Sequence, residues 1–104
     1  MNNLDWTALL ARLRALSKEM LDFAKADEWD AVITQEAQRC GLIETLFAQP
    51  MPPAVIPSVA DCIREVLAND KVLLTLARKA REKIIHHMTH LDKGRKACLA
   101  YESS

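Results

Sequence analysis

The chain of 104 residues contains only two glycines, and its four prolines all lie between Pro50 and Pro57. These two residue types interrupt helices most strongly, so the long segments on either side of the proline cluster are free to be helical. Aromatic residues make up 5% of the chain, and β-branched residues are scarce, which disfavours strands. These scarcities exclude a predominantly β protein and favour an all-α class.

The three cysteines, Cys40, Cys62 and Cys98, are odd in number and show no CxxC spacing. This pattern indicates reduced thiols rather than a disulfide framework, as is typical of a cytoplasmic protein. The N-terminal segment Met1–Trp6 has neither the basic region nor the apolar region of a signal peptide. No apolar run is long enough to cross a bilayer. We therefore expect a cytoplasmic chain without a membrane span.

The formal net charge is zero, so nothing global indicates a nucleic-acid partner. The distribution is uneven, because the segment from Arg78 onward holds seven basic residues and three acidic ones. Such a basic end can steer an acidic partner. The run Arg78–Lys83 has no aromatic interleaving and no preceding turn, so direct binding of nucleic acid is not expected.

Heptad spacing of apolar residues predicts one domain, residues 1–104, formed by an antiparallel three-helix bundle with a long third helix. The predicted helices cover about residues 4–25, 27–48 and 58–92. Asp27 is a candidate N-cap of the second helix, and the third begins with either Ser58 as cap or Pro57 as first residue. Gly94 could end the third helix, leaving a short fourth helix at 95–101 or a frayed tail.

Each predicted helix carries an apolar stripe. The first stripe is broad enough for a helix buried on two sides: Trp6, Leu9, Leu13, Leu16, Met20 and Phe23, flanked by Leu10, Leu21 and Ala24. The second stripe is Trp29, Ile33, Glu36, Cys40, Ile43 and Phe47. The third continues from Val59 through Ile63, Val66, Asp70, Leu73, Ala77, Ala80, Ile84 and Met88 to Leu91. The third helix outruns the second, so its end requires another cover, for which the tail is the candidate.

Candidate chemistry is sparse. Glu36 and Asp70 interrupt apolar stripes and are expected to face each other, either as paired acid/base carboxylates or as a polar layer satisfied by Ser17, Lys71 or Arg39. The segment HHMTH contains His86, His87 and His90, which could share a metal but are more typical of solvated histidines near a helix end. The cysteines are expected to be buried and inert. We expect no catalytic residues, no metal and no cofactor.

The apolar stripes offer more surface than one slender bundle can bury. Surplus apolar surface of this kind indicates self-association or a groove for a partner helix. A groove lining and a core lining use the same residue types, so the stripes alone do not separate them.

Three segments, in order along nearly the whole chain, resemble the bacterial flagellar protein FliT family. Met20–Leu46 (MLDFAKADEWDAVITQEAQRCGLIETL) resembles the family's turn with an A-x-x-x-x-W-D pattern. Val66–Lys71 (VLANDK) is similar to its "I-L-x-N-[ED]" stretch, and Lys96–Tyr101 (KACLAY) to its C-terminal "K-x-x-x-A-Y".

The resemblance implies a substrate-specific export chaperone. Members bind the C-terminal region of the filament-cap protein FliD in the cytoplasm and deliver it to the type III export apparatus, including the ATPase complex. Some also bind the regulator FlhDC, which is the alternative function, and some form homodimers. An unrelated helical interaction module is the remaining alternative.

Carried onto this chain, the resemblance places cargo on the middle of the third helix and on its neighbours in the second. The expected partner-binding residues are Ile63, Val66, Leu67, Leu74, Cys40, Ile43 and Phe47. The family's C-terminal helix can cover this surface, so Leu99 and Tyr101 are the candidates for a lid.

Overall fold

The structure is a computed structural model that describes residues 5–102, with the side chains of residues 97, 98, 101 and 102 left outside the description. It contains three helices in chain order, α1 (Trp6–Lys25), α2 (Trp29–Phe47) and α3 (Ile56–Glu102), with a single 3-10 turn at Pro53–Val55 before α3. Over the described residues no strand occurs, and the all-α prediction is confirmed.

Helix α1 begins at a side-chain cap, because the Asp5 carboxylate accepts a hydrogen bond of 3.1 Å from the Ala8 amide. The cap satisfies one of the amides that a helix N-terminus leaves unpaired. The predicted start near residue 4 therefore agrees with the structure to within two residues.

The turn between α1 and α2 is a helix-terminating motif in which Asp27 adopts a left-handed conformation, with φ of 61°. The Asp27 amide donates to the Ala24 carbonyl at 3.1 Å, and the Glu28 amide donates to the Phe23 carbonyl at 2.8 Å. These two bonds define a Schellman motif, which satisfies the last carbonyls of α1. The prediction that Asp27 caps α2 was wrong. Its carboxylate instead accepts a 2.7 Å hydrogen bond from the Trp29 indole.

Helix α3 begins at Ile56, so Pro57 lies in its first turn, where a missing amide hydrogen costs nothing. Of the two predicted starts, the one with Pro57 inside the helix agrees with the structure. The connector between α2 and α3, residues 48–55, is only partly extended. Pro52 has extended backbone angles, and the 3-10 turn follows it.

Helix α1 is the centre of the bundle, because it packs against both α2 and α3, whereas α2 and α3 approach each other closely at few positions. Two contacts give the direction of α3 relative to α1. Cys62 Sγ donates to the Leu10 carbonyl at 3.7 Å, and Asn69 donates to Ser17 Oγ at 3.2 Å. Both partners on α3 lie 52 residues further along the chain, so α1 and α3 are parallel, and α2 runs antiparallel to both.

The core consists of two clusters, and α1 contributes to both. The larger cluster contains Leu10, Leu13, Leu46, Val59, Cys62 and Val66. The smaller one contains Met20, Ala24 and Val32, with Phe23, Trp29, Leu73 and Leu76 packed against it. Leu13, Leu16 and Met20 are at most 1% exposed, so the expectation of a first helix buried on two sides is confirmed.

The C-terminal half of α3 extends beyond the bundle. This helix has 47 residues, against 20 in α1 and 19 in α2, and the molecule measures 78 × 23 × 19 Å. Residues 81–96 are all exposed. We call residues 81–102 the extension.

The predicted break at Gly94 does not occur, and residues 95–101 form no separate fourth helix, since α3 is continuous to Glu102. A glycine costs a helix only about 1 kcal/mol relative to alanine, and without a proline or a competing contact this penalty does not end a helix.

We predict that Asp27→Val lowers the free energy of unfolding by about 1–2 kcal/mol, because β-branched side chains are strained in the left-handed conformation. Asp27→Asn is the matched control. Asparagine tolerates this conformation and keeps an acceptor for the Trp29 indole, so its stability stays close to that of the original chain. Urea denaturation measures both, and equal stabilities of the two variants would contradict the strain.

Candidate functional site

The buried residues of α2 each come one position before a residue of the predicted stripe. Val32, Arg39 and Leu46 are buried, whereas Ile33 is 68% exposed, Phe47 is 57% exposed and Cys40 is exposed. The second stripe therefore faces outward at these three residues, two of which, Cys40 and Phe47, were expected to bind a partner. Each is shifted by about 100° around the helix from its buried neighbour, which places the stripe on the outside of the bundle.

A buried arginine, Arg39, explains why α2 has this orientation about its own axis. The Arg39 guanidinium donates to both Asp70 carboxylate oxygens, at 2.7 and 3.3 Å, and to Glu36 at 2.6 Å. The Arg39 side chain is only 8% exposed. Burial by itself lowers the pKa of Arg39, but the hydrogen bonds and charges of Asp70 and Glu36 outweigh it and raise the pKa. The guanidinium therefore stays charged.

This cluster decides between the two interpretations of the paired acids. Glu36 and Asp70 lie together as expected, and each directs a carboxylate oxygen at Arg39. The polar-layer interpretation is confirmed, with Arg39 as the residue that satisfies the layer. Ser17, another candidate, instead accepts the Asn69 amide.

Hydrogen bonds to α1 show which side of α3 is uncovered. Glu65 of α3 accepts a 2.6 Å hydrogen bond from Arg14 of α1, whereas Asp70 is bonded to α2. At about 100° per residue, Leu67 and Leu74 lie next to Asp70, on the side away from Glu65. They are 55% and 57% exposed. Leu67 and Leu74 thus flank the seam between α2 and α3, on the face opposite α1.

The same reasoning applies to α2. Gln38 accepts a 3.3 Å hydrogen bond from Arg12 of α1, while Glu36 and Arg39 form the cluster with α3. The exposed stripe of α2 lies beyond Glu36, again away from α1. We call the surface formed by Ile33, Cys40, Phe47, Leu67 and Leu74 the α2–α3 face.

The structure brings four of the seven predicted partner-binding residues onto this face: Leu67, Leu74, Cys40 and Phe47. Ile43 and Ile63 are half-buried and pack against the larger core cluster at its edge. Val66 is only 5% exposed and lies within the core, so it is not available to a partner in this structure. Its position facing α1 and α2 together explains the burial.

Ile33 of the second stripe also belongs to the α2–α3 face, although it was not among the expected partner-binding residues. A usable signal was present in the sequence. Ile33, Cys40 and Phe47 are spaced by seven residues, as are Leu67 and Leu74, and a seven-residue spacing keeps side chains on one face of a helix.

The proposed lid residues are at the far end of α3. Leu99 is 54% exposed and lies about 38 Å along the helix from Leu74, at about 1.5 Å per residue. Tyr101 is helical, but its side chain lies outside the described part. In this conformation Leu99 does not cover the α2–α3 face.

His86, His87 and His90 are exposed on the extension, in agreement with the solvated-histidine interpretation. Among the side chains that the structure describes, no group of three or more from histidine, cysteine, aspartate and glutamate is arranged to hold a metal ion. No described helix combines the length and apolarity needed to cross a membrane.

The two described cysteines differ sharply. Cys62 is fully buried, and this burial raises the pKa of its thiol, with the Glu65 charge adding to the rise and Arg14 opposing it. Cys40 is exposed on the α2–α3 face. The prediction of a buried thiol is therefore confirmed for Cys62 and wrong for Cys40.

The described residues form an all-α bundle with an exposed apolar face around a salt-bridged polar layer, which defines the chain as a helical-bundle protein. Comparison with known proteins gives the family. Residues 7–103 match the family model described as "Flagellar protein FliT". Over 100 residues the chain is 30% identical to the flagellar protein FliT of Citrobacter koseri, covering 93% of this chain and 80% of that protein. The chain belongs to the FliT family of flagellar proteins. No solved structure matches it.

We predict that a thiol reagent distinguishes the two cysteines in a Cys98→Ser background. At pH 8 the exposed Cys40 reacts rapidly, whereas Cys62 reacts only after unfolding, because the thiolate is the nucleophile and burial disfavours it. Absorbance of the released thionitrobenzoate counts the thiols with and without denaturant. Rapid reaction of both thiols in the folded chain would contradict the assignment.

Proposed function

We propose that this protein is a cytoplasmic chaperone of type III flagellar export that binds the C-terminal region of the filament-cap protein FliD and delivers it to the export apparatus. Membership of the FliT family supports a flagellar role. The α2–α3 face supports the binding role, and it is the observation on which the proposal rests.

The α2–α3 face suits a helical segment of cargo. From Ile33 to Phe47 it is about 21 Å long, at about 1.5 Å per residue, which is four turns of a docked helix. Four of its apolar side chains are between 55% and 68% exposed: Ile33, Phe47, Leu67 and Leu74. An amphipathic helix that covers these side chains removes them from water, which is the main favourable term in such complexes.

The extension supplies a second surface for the delivery step. Ile84, Ile85, Met88 and Leu91 are each more than half exposed, and basic side chains bracket them in sequence. A basic helix with an apolar patch suits an acidic partner, for which the ATPase complex of the export apparatus is our candidate. Contact with FlhDC and formation of a homodimer stay predictions. The proposal assigns the protein no catalytic turnover.

We predict that Leu67→Asp abolishes binding of the FliD C-terminal segment and leaves the helical content unchanged. The substitution places a charge at the centre of a contact that becomes dry on binding. Titration calorimetry with the purified segment measures the affinity, and circular dichroism and thermal unfolding test the fold.

Val72→Asp is the matched control. Val72 is also on α3 and 46% exposed, but it lies about 140° around the helix from Leu67 and off the α2–α3 face. Binding of the segment by Val72→Asp should equal that of the original chain. The absence of any complex at micromolar concentration with the folded original chain would refute the proposed function. Equal loss in both variants would refute the assignment of the face.

A further inference from the structure

The α2–α3 face contains an acidic residue at the same place in the apolar pattern of each helix. On α2, Glu36 has Ile33 three residues before it and Cys40 four residues after it. On α3, Asp70 has Leu67 three residues before it and Leu74 four residues after it. Both helices thus present the order apolar, acidic, apolar with the same spacing.

The two acids lie at one level of the face because a single guanidinium joins them. Arg39 bonds Glu36 at 2.6 Å and Asp70 at 2.7 Å. Since α2 and α3 are antiparallel, Ile33 and Leu74 are on one side of this level along the bundle, and Cys40 and Leu67 are on the other. Successive levels are about 5 Å apart, which is about one helical turn.

The acidic level has an excess of negative charge. Two carboxylates share one guanidinium, so the formal charge of the cluster is −1. The side chain of Glu36 is 48% exposed and that of Asp70 is 31% exposed, whereas Arg39 is 8% exposed. The cation is therefore inside the bundle and carboxylate oxygens are outside. An ionised carboxylate offers about four acceptor positions, and Arg39 occupies only part of this capacity.

A wholly apolar helix is a poor occupant of this face. It would remove water from carboxylates that have no second partner, and the desolvation of an incompletely paired charge opposes binding. A helix with one lysine or arginine at the acidic level neutralises the cluster and supplies the missing donors. Charge complementarity therefore identifies the occupant.

We propose that the α2–α3 face selects an amphipathic cargo helix whose apolar stripe is interrupted by one lysine or arginine, seated against Glu36 and Asp70. The inference rests on the proposed function, because it specifies the chemistry of the cargo helix that the chaperone accepts. Glu36 is then a specificity-determining residue and Asp70 shares its role at the same level.

The test uses Glu36→Gln in the full chain, because this variant removes one exposed charge and leaves Arg39 bonded to both oxygens of Asp70. The probe is the C-terminal segment of the filament-cap protein from the same organism. We expect titration calorimetry to show affinity lowered about 10- to 150-fold, the range for a lost hydrogen bond to a charged group. Glu19→Gln, with the same charge change at an exposed position of α1, should bind like the original chain.

Substitution on the cargo completes the test. Each lysine and arginine of the cargo segment is changed to glutamine in turn. One of these changes should weaken binding to the original chain and have little further effect on Glu36→Gln, which is the sign of direct coupling in a double-mutant cycle. The affinity of the original pair should also fall as salt is raised from about 0.05 to 0.5 M.

Three outcomes overturn the proposal in distinguishable ways. If the original chain binds no cargo segment, the proposed function fails and this inference fails with it. If cargo binds and Leu67→Asp abolishes binding, but Glu36→Gln retains full affinity, the face binds cargo without charge selection. The third outcome concerns a second copy of this chain, because the extension also has apolar residues followed by a basic one: Ile84, Met88, Leu91 and Arg95. If Glu36→Gln alters only self-association in sedimentation, the occupant of the face is the extension of a second copy.

Discussion

The burial of Arg39 determines how the rest of the bundle is arranged. A guanidinium cannot lose its water without paired acceptors, and Asp70 and Glu36 supply them from two different helices. Once this group faces inward, the rotation of α2 about its axis is fixed. Ile33, Cys40 and Phe47 must then face outward, although their residue types would suit a core. The apolar surface of the molecule is thus a consequence of a polar contact.

Helix α1 has the complementary role. Its broad apolar face packs against both neighbours, so α2 and α3 need few contacts with each other. Of the six largest fully buried side chains in the described part of the chain, this single helix provides four: Leu13, Leu16, Ser17 and Met20. This arrangement leaves the seam opposite α1 accessible without cost to the core. Stability and recognition therefore depend on different faces of the same three helices.

Much of the fold could be predicted from the sequence, because apolar spacing and the proline cluster are local signals. The helix bounds of α1 and α2, the central position of α1 and the pairing of Glu36 with Asp70 all follow from them. The rotation of α2 did not, because a buried arginine resembles a surface arginine in sequence, and only its partner from α3 makes burial possible. The continuity of α3 through Gly94 depends on whether another segment packs against that part of the helix. A local sequence pattern contains no information about such contacts. For the candidate site, the family resemblance suggested Leu67, Leu74, Cys40 and Phe47, which lie on the face. Neither the resemblance nor the apolar spacing separated Val66, which is in the core, from Leu67, which is not.

The unbroken helix α3 has a mechanical consequence. The part that borders the α2–α3 face and the part that forms the extension belong to one rod, with no hinge in between. A tilt of about 10° at the bundle would move the tip of the rod by about 7 Å, taking a lever of about 40 Å from the helical rise. The molecule can therefore act as a lever, in which a small adjustment at one end becomes a displacement the size of a side chain at the other.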